Sequence, residues 1–241
     1  MNILITNDDG MDSPILPGLI RWARKLGNVT AVVPRTEQSG MSQAVNFTQE
    51  VEVKKETVAP DVTVYAVDST PADCVRFGIT ALNEDYRLII SGINKGYNLG
   101  DDIVYSGTVG AIFEGSRLGI RGLALSSGRE AGLAPLEHLD KVWGFICENR
   151  LFEHCSLYNV NIPSNAKGFR ITAQGGMFFS DVFKPCGENK YIQVGEPLPR
   201  ERNDLSFDID AIRNGYISVT PLIATRTDLS VFERLKTAVN D

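Results

Sequence analysis

The chain has 241 residues, with 24 Lys+Arg against 30 Asp+Glu, a formal net charge of −6 and 43% hydrophobic residues. Such a composition excludes disorder and supplies enough apolar side chain for the core of one large domain, or of one domain with an appendage. The acidic balance argues against a nucleic-acid polymer or an anionic membrane as partner, and no apolar run approaches the ~20 residues that span a bilayer.

In chain order, Ile3 to Ile5 reads as a first buried strand. The sequence turns acidic at Asp8 and Asp9 with no basic stretch before them, so it predicts no secretory signal. A helix follows over Leu16 to Lys25, a strand over Val29 to Val33, and then Val45 to Lys55. There Val51 and Val53 alternate with Glu50, Glu52 and Lys54, as in a half-exposed strand or hairpin. Further strands are expected at Val62 to Val67, Leu88 to Ile90, Leu123 to Leu125 and Leu157 to Ile162, separated by helices near Ala72 to Leu82, Thr108 to Leu118 and Leu136 to Asn149. Strand and helix in alternation predict an α/β fold: a mostly parallel sheet with helices on both faces, over about residues 1–163.

After Pro163 the pattern changes. Gly168 to Thr172, Met177 to Phe183, Lys190 to Val194 and Tyr216 to Thr220 are short β-like runs broken by Gly and Pro, and one amphipathic helix, Leu229 to Val239, follows. This β-rich extension, about residues 164–241, is too thin for a second core. It is expected to reach into a partner subunit or to fold over the first unit.

Four cysteines at irregular spacing give neither a C-x-x-C metal site nor a disulfide framework, which predicts a cytoplasmic setting. The two histidines, His138 and His154, exclude a histidine-rich binuclear centre and read as surface or packing residues.

In a doubly wound sheet, ligands sit at the carboxyl ends of the strands, and the oxygen-rich segments fall there. Asn7-Asp8-Asp9-Gly10 follows the first strand, and Pro34 to Gly40 the second. Asp68 to Asp73 follows the strand at Val62 to Val67, and Ser91 to Asp102 follows Leu88 to Ile90. Two adjacent carboxylates at a buried strand end repel unless a cation lies between them. Asp8 and Asp9, with an amide oxygen from Asn94 and the Ser39 hydroxyl, would suit Mg2+ or Mn2+, whereas the lack of thiols and imidazoles argues against zinc. The competing readings are that Asp8 and Asp9 cap the next helix and that Ser39 and Asn94 are turn residues. Ser106-Gly107-Thr108 opens a helix, either as a phosphate cradle or as a plain N-cap. Thr70 before Pro71 has the same ambiguity, and Arg76 and Lys95 could face phosphate or solvent.

Taken together, these segments resemble the SurE family of survival-protein nucleotidases. The matches are Ile3 to Gly10, the Pro34 to Gly40 turn, Thr70 to Val75, Ser91-Gly92-Ile93-Asn94 with Gly96 to Asp102, and Tyr105 to Ala111 with Glu114-Gly115. Asn159-Val160-Asn161-Ile162-Pro163 and Gly215 to Leu222 fit as well. One departure is Pro14-Ile15-Leu16-Pro17-Gly18, where the family usually has Pro-Gly-Ile, so the start of the first helix is open. The resemblance implies hydrolysis of nucleoside 5′- and 3′-monophosphates with one divalent ion per subunit, Mg2+ or Mn2+. By the same resemblance Asp8, Asp9, Ser39 and Asn94 are ligands, and Gly40, Asn98, Ser106, Gly107 and Thr108 surround the phosphate. It also implies a Rossmann-like sheet whose C-terminal portion is exchanged between the subunits of a homodimer, often paired into tetramers. Asp8 and Asp9 are the expected catalytic carboxylates, as base or, for Asp8, as covalent nucleophile.

Two rivals are a Mg-binding receiver-like signalling module and a nucleotide-binding module without turnover. The first needs a phosphoacceptor Asp closing a later buried strand, which Val51 to Lys55 does not offer. The second lacks the Gly-x-Gly-x-x-Gly fingerprint after the first strand.

Overall fold

A computed structural model describes residues 1–199 and 203–239. Its first half is built from β1 (Asn2–Thr6), α1 (Leu16–Ala23), β2 (Asn28–Pro34), β3 (Val53–Ala59), β4 (Val62–Val67), α2 (Pro71–Thr80) and β5 (Tyr86–Lys95). Then come α3 (Gly107–Ser116), β6 (Arg121–Ser127), α4 (Leu139–Glu148), α5 (Leu151–His154) and β7 (Leu157–Ile162). The remainder comprises β8 (Phe169–Ile171), β9 (Phe179–Gly187), β10 (Lys190–Pro197), α6 (Asp208–Arg213), β11 (Ile217–Leu222) and α7 (Leu229–Val239). Short 3-10 turns at Gly100–Tyr105 and Ala134–His138 precede α3 and α4.

Nine strands form one sheet in the order β3-β4-β2-β1-β5-β6-β7-β11-β8. The five steps from β4 through to β7 are parallel, and antiparallel pairing appears at β3 with β4 and at β7 with β11. Alternation in β1 sends Ile3 and Ile5 into the core layer under α1 and α4, and Leu4 into the layer under α2 and α3. All three are fully buried, as a parallel sheet covered on both faces requires. The strand order reverses between β1 and β5, and a crevice opens there beyond the carboxyl ends of the strands.

Two expectations shift. The strand placed at Val45 to Lys55 lies at Val53–Ala59 instead, because residues 45–50 are held as a loop. Asn46 donates its backbone N–H to Asp73 Oδ2 (2.9 Å), and the Thr70 hydroxyl donates to the Ala44 carbonyl (2.6 Å). In addition, much of the region after Pro163 joins the main sheet. β11 pairs with β7 and β8 pairs with β11, while α6 packs under them with Ile209 buried. Among the described residues, the β9–β10 hairpin and α7 stand apart from the main sheet, with Phe183, Tyr191, Leu229 and Leu235 more than half exposed. At the family departure, α1 begins at Leu16 after an Ile15 N-cap without a side-chain cap, and Pro17 occupies its first turn. Among the described residues no helix is long and apolar enough to cross a membrane.

Candidate active site

β1 ends at Thr6, and the next two side chains turn inward at the switch point. Asn7 anchors the turn by donating Nδ2–H to the Gly10 carbonyl (2.9 Å). Gly10 has φ +85°, and a Cβ there would come within 2.9 Å of the Thr36 carbonyl carbon, so glycine lets this turn pack against the loop after β2. That loop is tied in return by the Gln38 N–H donating to the Asp8 carbonyl (2.7 Å). Asn94 arrives from β5 through a bulge, since the register with β6 shifts between Ser91 and Asn94. Gly92, φ +131°, stands inside the bulge, where a Cβ would collide with the Leu125 carbonyl oxygen. Such a bulge re-aims the side chains that follow it.

These elements converge on one cavity of about 400 Å³ that brings together Asp8, Asp9, Ser39, Gly40, Asn94, Asn98 and Ser106. The Thr108 hydroxyl donates to Asp8 Oδ1 (2.7 Å), and the Lys95 N–H donates to Asp9 Oδ2 (3.1 Å). Asn94 turns its Nδ2–H toward the Gly96 carbonyl (2.8 Å), which leaves its Oδ1 as the acceptor. Ser39 donates its hydroxyl to Glu37 Oε1 (2.6 Å), leaving the oxygen's lone pairs available. Gly107 and Thr108 do not line the cavity. Thr108 is committed to Asp8, and Gly107 is packed so closely that a Cβ would lie 3.2 Å from that of Asp8. Ser106 is both a cavity residue and the N-cap of α3, accepting from the Val109 N–H (3.1 Å). Thr70 caps α2 and lies outside the cavity, while Arg76 pairs with buried Glu114 (2.7 Å).

The sequence singled out Asn98 but gave no site role to the residues that hold it. Asn98 is clamped by two asparagines of β7: its N–H donates to Asn161 Oδ1 (2.9 Å), and its carbonyl accepts from Asn161 Nδ2 (2.8 Å) and Asn159 Nδ2 (2.9 Å). Its own Nδ2 donates to Ser126 Oγ (2.8 Å). Buried Asp208 on α6 accepts from the Gly100 N–H (2.8 Å) and fixes the same segment from the other side. Asn159 and Asn161, spaced by two in an otherwise apolar strand, are a pattern that announces buried amides with fixed partners. Glu37, Lys95, Gly96, Tyr97, Asp102, Tyr105 and Arg129 complete the wall.

Burial pushes the Asp8 carboxyl from an ordinary 3.8 up to about 6; the Thr108 hydrogen bond partly offsets this and the charge on Asp9 adds to it. Asp9 is also raised, mainly by burial, with the Lys95 N–H opposing and Glu37 reinforcing. Two acids that ionise reluctantly, next to free amide and hydroxyl oxygens, form a hard-oxygen donor set that fits a divalent cation. Among the described residues no three His, Cys, Asp or Glu side chains gather as a metal cluster, so the fit rests on this mixed set.

The sign of the Asp8 shift yields a prediction. Folding disfavours the ionised form, so the penalty is absent below about pH 3.8, grows as pH rises, and is complete above about pH 6. A gap of about two pH units corresponds to at most ~3 kcal/mol. In metal-free protein, Asp8→Asn is therefore expected to raise the unfolding free energy at pH 8 and to leave it unchanged at pH 3.5. Denaturant titrations in EDTA measure this, and a variant less stable than the parent at pH 8 contradicts it.

A sequence model described as "Survival protein SurE" matches residues 3–181. The chain is 35% identical over 257 residues to the 5'-nucleotidase SurE of Thermosipho melanesiensis, covering 100% of this chain and 98% of that one. It is 37% identical over 237 residues to the 5'/3'-nucleotidase SurE of Wigglesworthia glossinidia brevipalpis, covering 95% and 93%. The crystal structure of the SurE protein from Aquifex aeolicus superimposes with a TM-score of 0.78 at 35% identity, covering 100% of both chains.

Proposed function

The chain belongs to the SurE family, and on that premise we propose that it is a metal-dependent phosphomonoesterase that hydrolyses nucleoside 5′- and 3′-monophosphates to nucleoside and phosphate. The observation that carries this reading is the convergence of Asp8, Asp9, Ser39 and Asn94 on one cavity at the sheet's switch point. These four would hold one divalent ion, Mg2+ or Mn2+, which when bound polarises a phosphoryl oxygen and activates a water.

The protein's own groups supply the rest. Thr108 and the Lys95 amide fix the two carboxylates, and one of these accepts the proton of the attacking water. Asn98 and Ser106, with Gly40, line the place of the phosphate, and Lys95 and Arg129 add positive charge as it builds on the phosphoryl oxygens. The four cysteines are free, which supports a cytoplasmic location. The exposed hairpin and α7 support a homodimer or tetramer in which residues 164–241 contribute exchanged segments.

The test is release of inorganic phosphate from nucleoside monophosphates, which neither a receiver module nor a non-hydrolysing binder gives. The base is expected to matter little, since among the described residues Tyr97 and Tyr105 are the only aromatic residues of this cavity and the cavity beside it has none. Across AMP, GMP, CMP and UMP, kcat/KM should differ by less than about a hundredfold, or nearly 3 kcal/mol. A larger preference for one base would show a base-reading contact outside this account.

A further inference from the structure

A second cavity, of about 430 Å³, adjoins the first and shares Asp9, Glu37, Lys95 and Arg129 with it. Its volume is in the ~300–1,000 Å³ range of sites for small ligands. Part of its lining is apolar: Pro14 and Ile15 from the segment where this chain departs from the family pattern, and Ile93 from the β5 bulge. The charged residues of the second cavity divide between the shared wall and the part beyond it. Both cations, Lys95 and Arg129, stand on the shared wall with Asp9 and Glu37, and Arg129 forms no ion pair among the described residues. Beyond the wall only carboxylates remain, Asp12 and Glu130, both exposed and without an ion pair among the described residues.

We propose that this second cavity seats the uncharged nucleoside of the substrate, and that Asp12 and Glu130 select against a second phosphate on its ribose. The inference rests on the nucleotidase reading and deepens it. One phosphate fits against Lys95 and Arg129, beside the carboxylate pair. The remainder of the substrate must then lie where the lining is apolar and acidic. Ribose hydroxyls donate to carboxylates and a base covers Pro14 and Ile15, whereas a second phosphate placed there meets the two like charges of Asp12 and Glu130 while Lys95 and Arg129 are taken up by the first.

Two measurements on the full-length protein test it. Adenosine alone is titrated calorimetrically into the parent and into Glu130→Trp, whose exposed position carries the bulk without a folding cost; binding should weaken at least tenfold while inorganic phosphate, as an inhibitor, keeps its affinity. The ratio of kcat/KM for AMP over adenosine 3′,5′-bisphosphate is then compared in the parent and in Asp12→Lys/Glu130→Lys. The parent should favour AMP at least tenfold, and the double variant should narrow that ratio at least fivefold, mostly through KM. Adenosine binding unmoved by Glu130→Trp, or a ratio unchanged within twofold, overturns the assignment even if AMP is hydrolysed. No phosphate release from AMP by the parent, alongside adenosine binding that Glu130→Trp abolishes, overturns the nucleotidase reading and leaves the subsite standing.

Discussion

Asp9→Asn is expected to lower kcat on a nucleoside monophosphate by at least about a thousandfold, or ~4 kcal/mol, with the fold intact. Removing its charge halves the anionic part of the proposed donor set, and the neutral ligands Ser39 and Asn94 do not replace it. Because Asp9 supports a ligand rather than a hydrophobic layer, circular dichroism and the cooperative melt should stay near those of the parent. EDTA should abolish the activity of the parent, and added Mg2+ or Mn2+ should restore it. A variant within tenfold of the parent, or full activity in metal-free protein, removes the proposed ligand assignment.

Deletion of residues 168–241 is expected to give insoluble protein rather than a smaller active enzyme. The cut removes β11, whose hydrogen bonds complete the edge of β7, and with it β8 and α6. It also takes away Asp208, which secures Gly100 beside the site. A bare β7 edge with a buried, largely apolar face is a template for aggregation. The soluble fraction after expression measures this, and a soluble fragment retaining phosphatase activity would refute it. Assembly is a separate question: light scattering of the intact chain should give at least a dimer, and a monomer of 26.4 kDa at micromolar concentration would count against exchange of the tail.

Much of the sheet could be read from the chain because buried parallel strands are continuous apolar runs. Val62–Val67, Leu157–Ile162 and the helix Leu229–Val239 fall at the expected residues. β5 is longer than Leu88 to Ile90 because its polar end, Ser91 to Lys95, stays paired with β6 across a bulge and therefore looks like a loop in sequence. α6 gave no periodic signal: it has six residues, and its first, Asp208, is fixed by long-range bonds to Gly100 and Gly175. In the candidate site, the acids and amides were legible because they follow strand ends. That Thr108 serves Asp8, that Asn161 grips Asn98 and that Arg129 stands by Asn94 depends on residues far apart in sequence, which no local pattern encodes.

The amide clamp on Asn98 has a dynamic consequence. Both backbone polar groups of Asn98, a residue at the proposed phosphate position, are held by side chains of β7, a strand inside the sheet, so this segment opens only when that part of the sheet opens. Its amide proton should then exchange with solvent at the slow rate of the core and not at the rate of a surface loop. A phosphate arriving at such a segment finds it already ordered, and binding forfeits little chain entropy there.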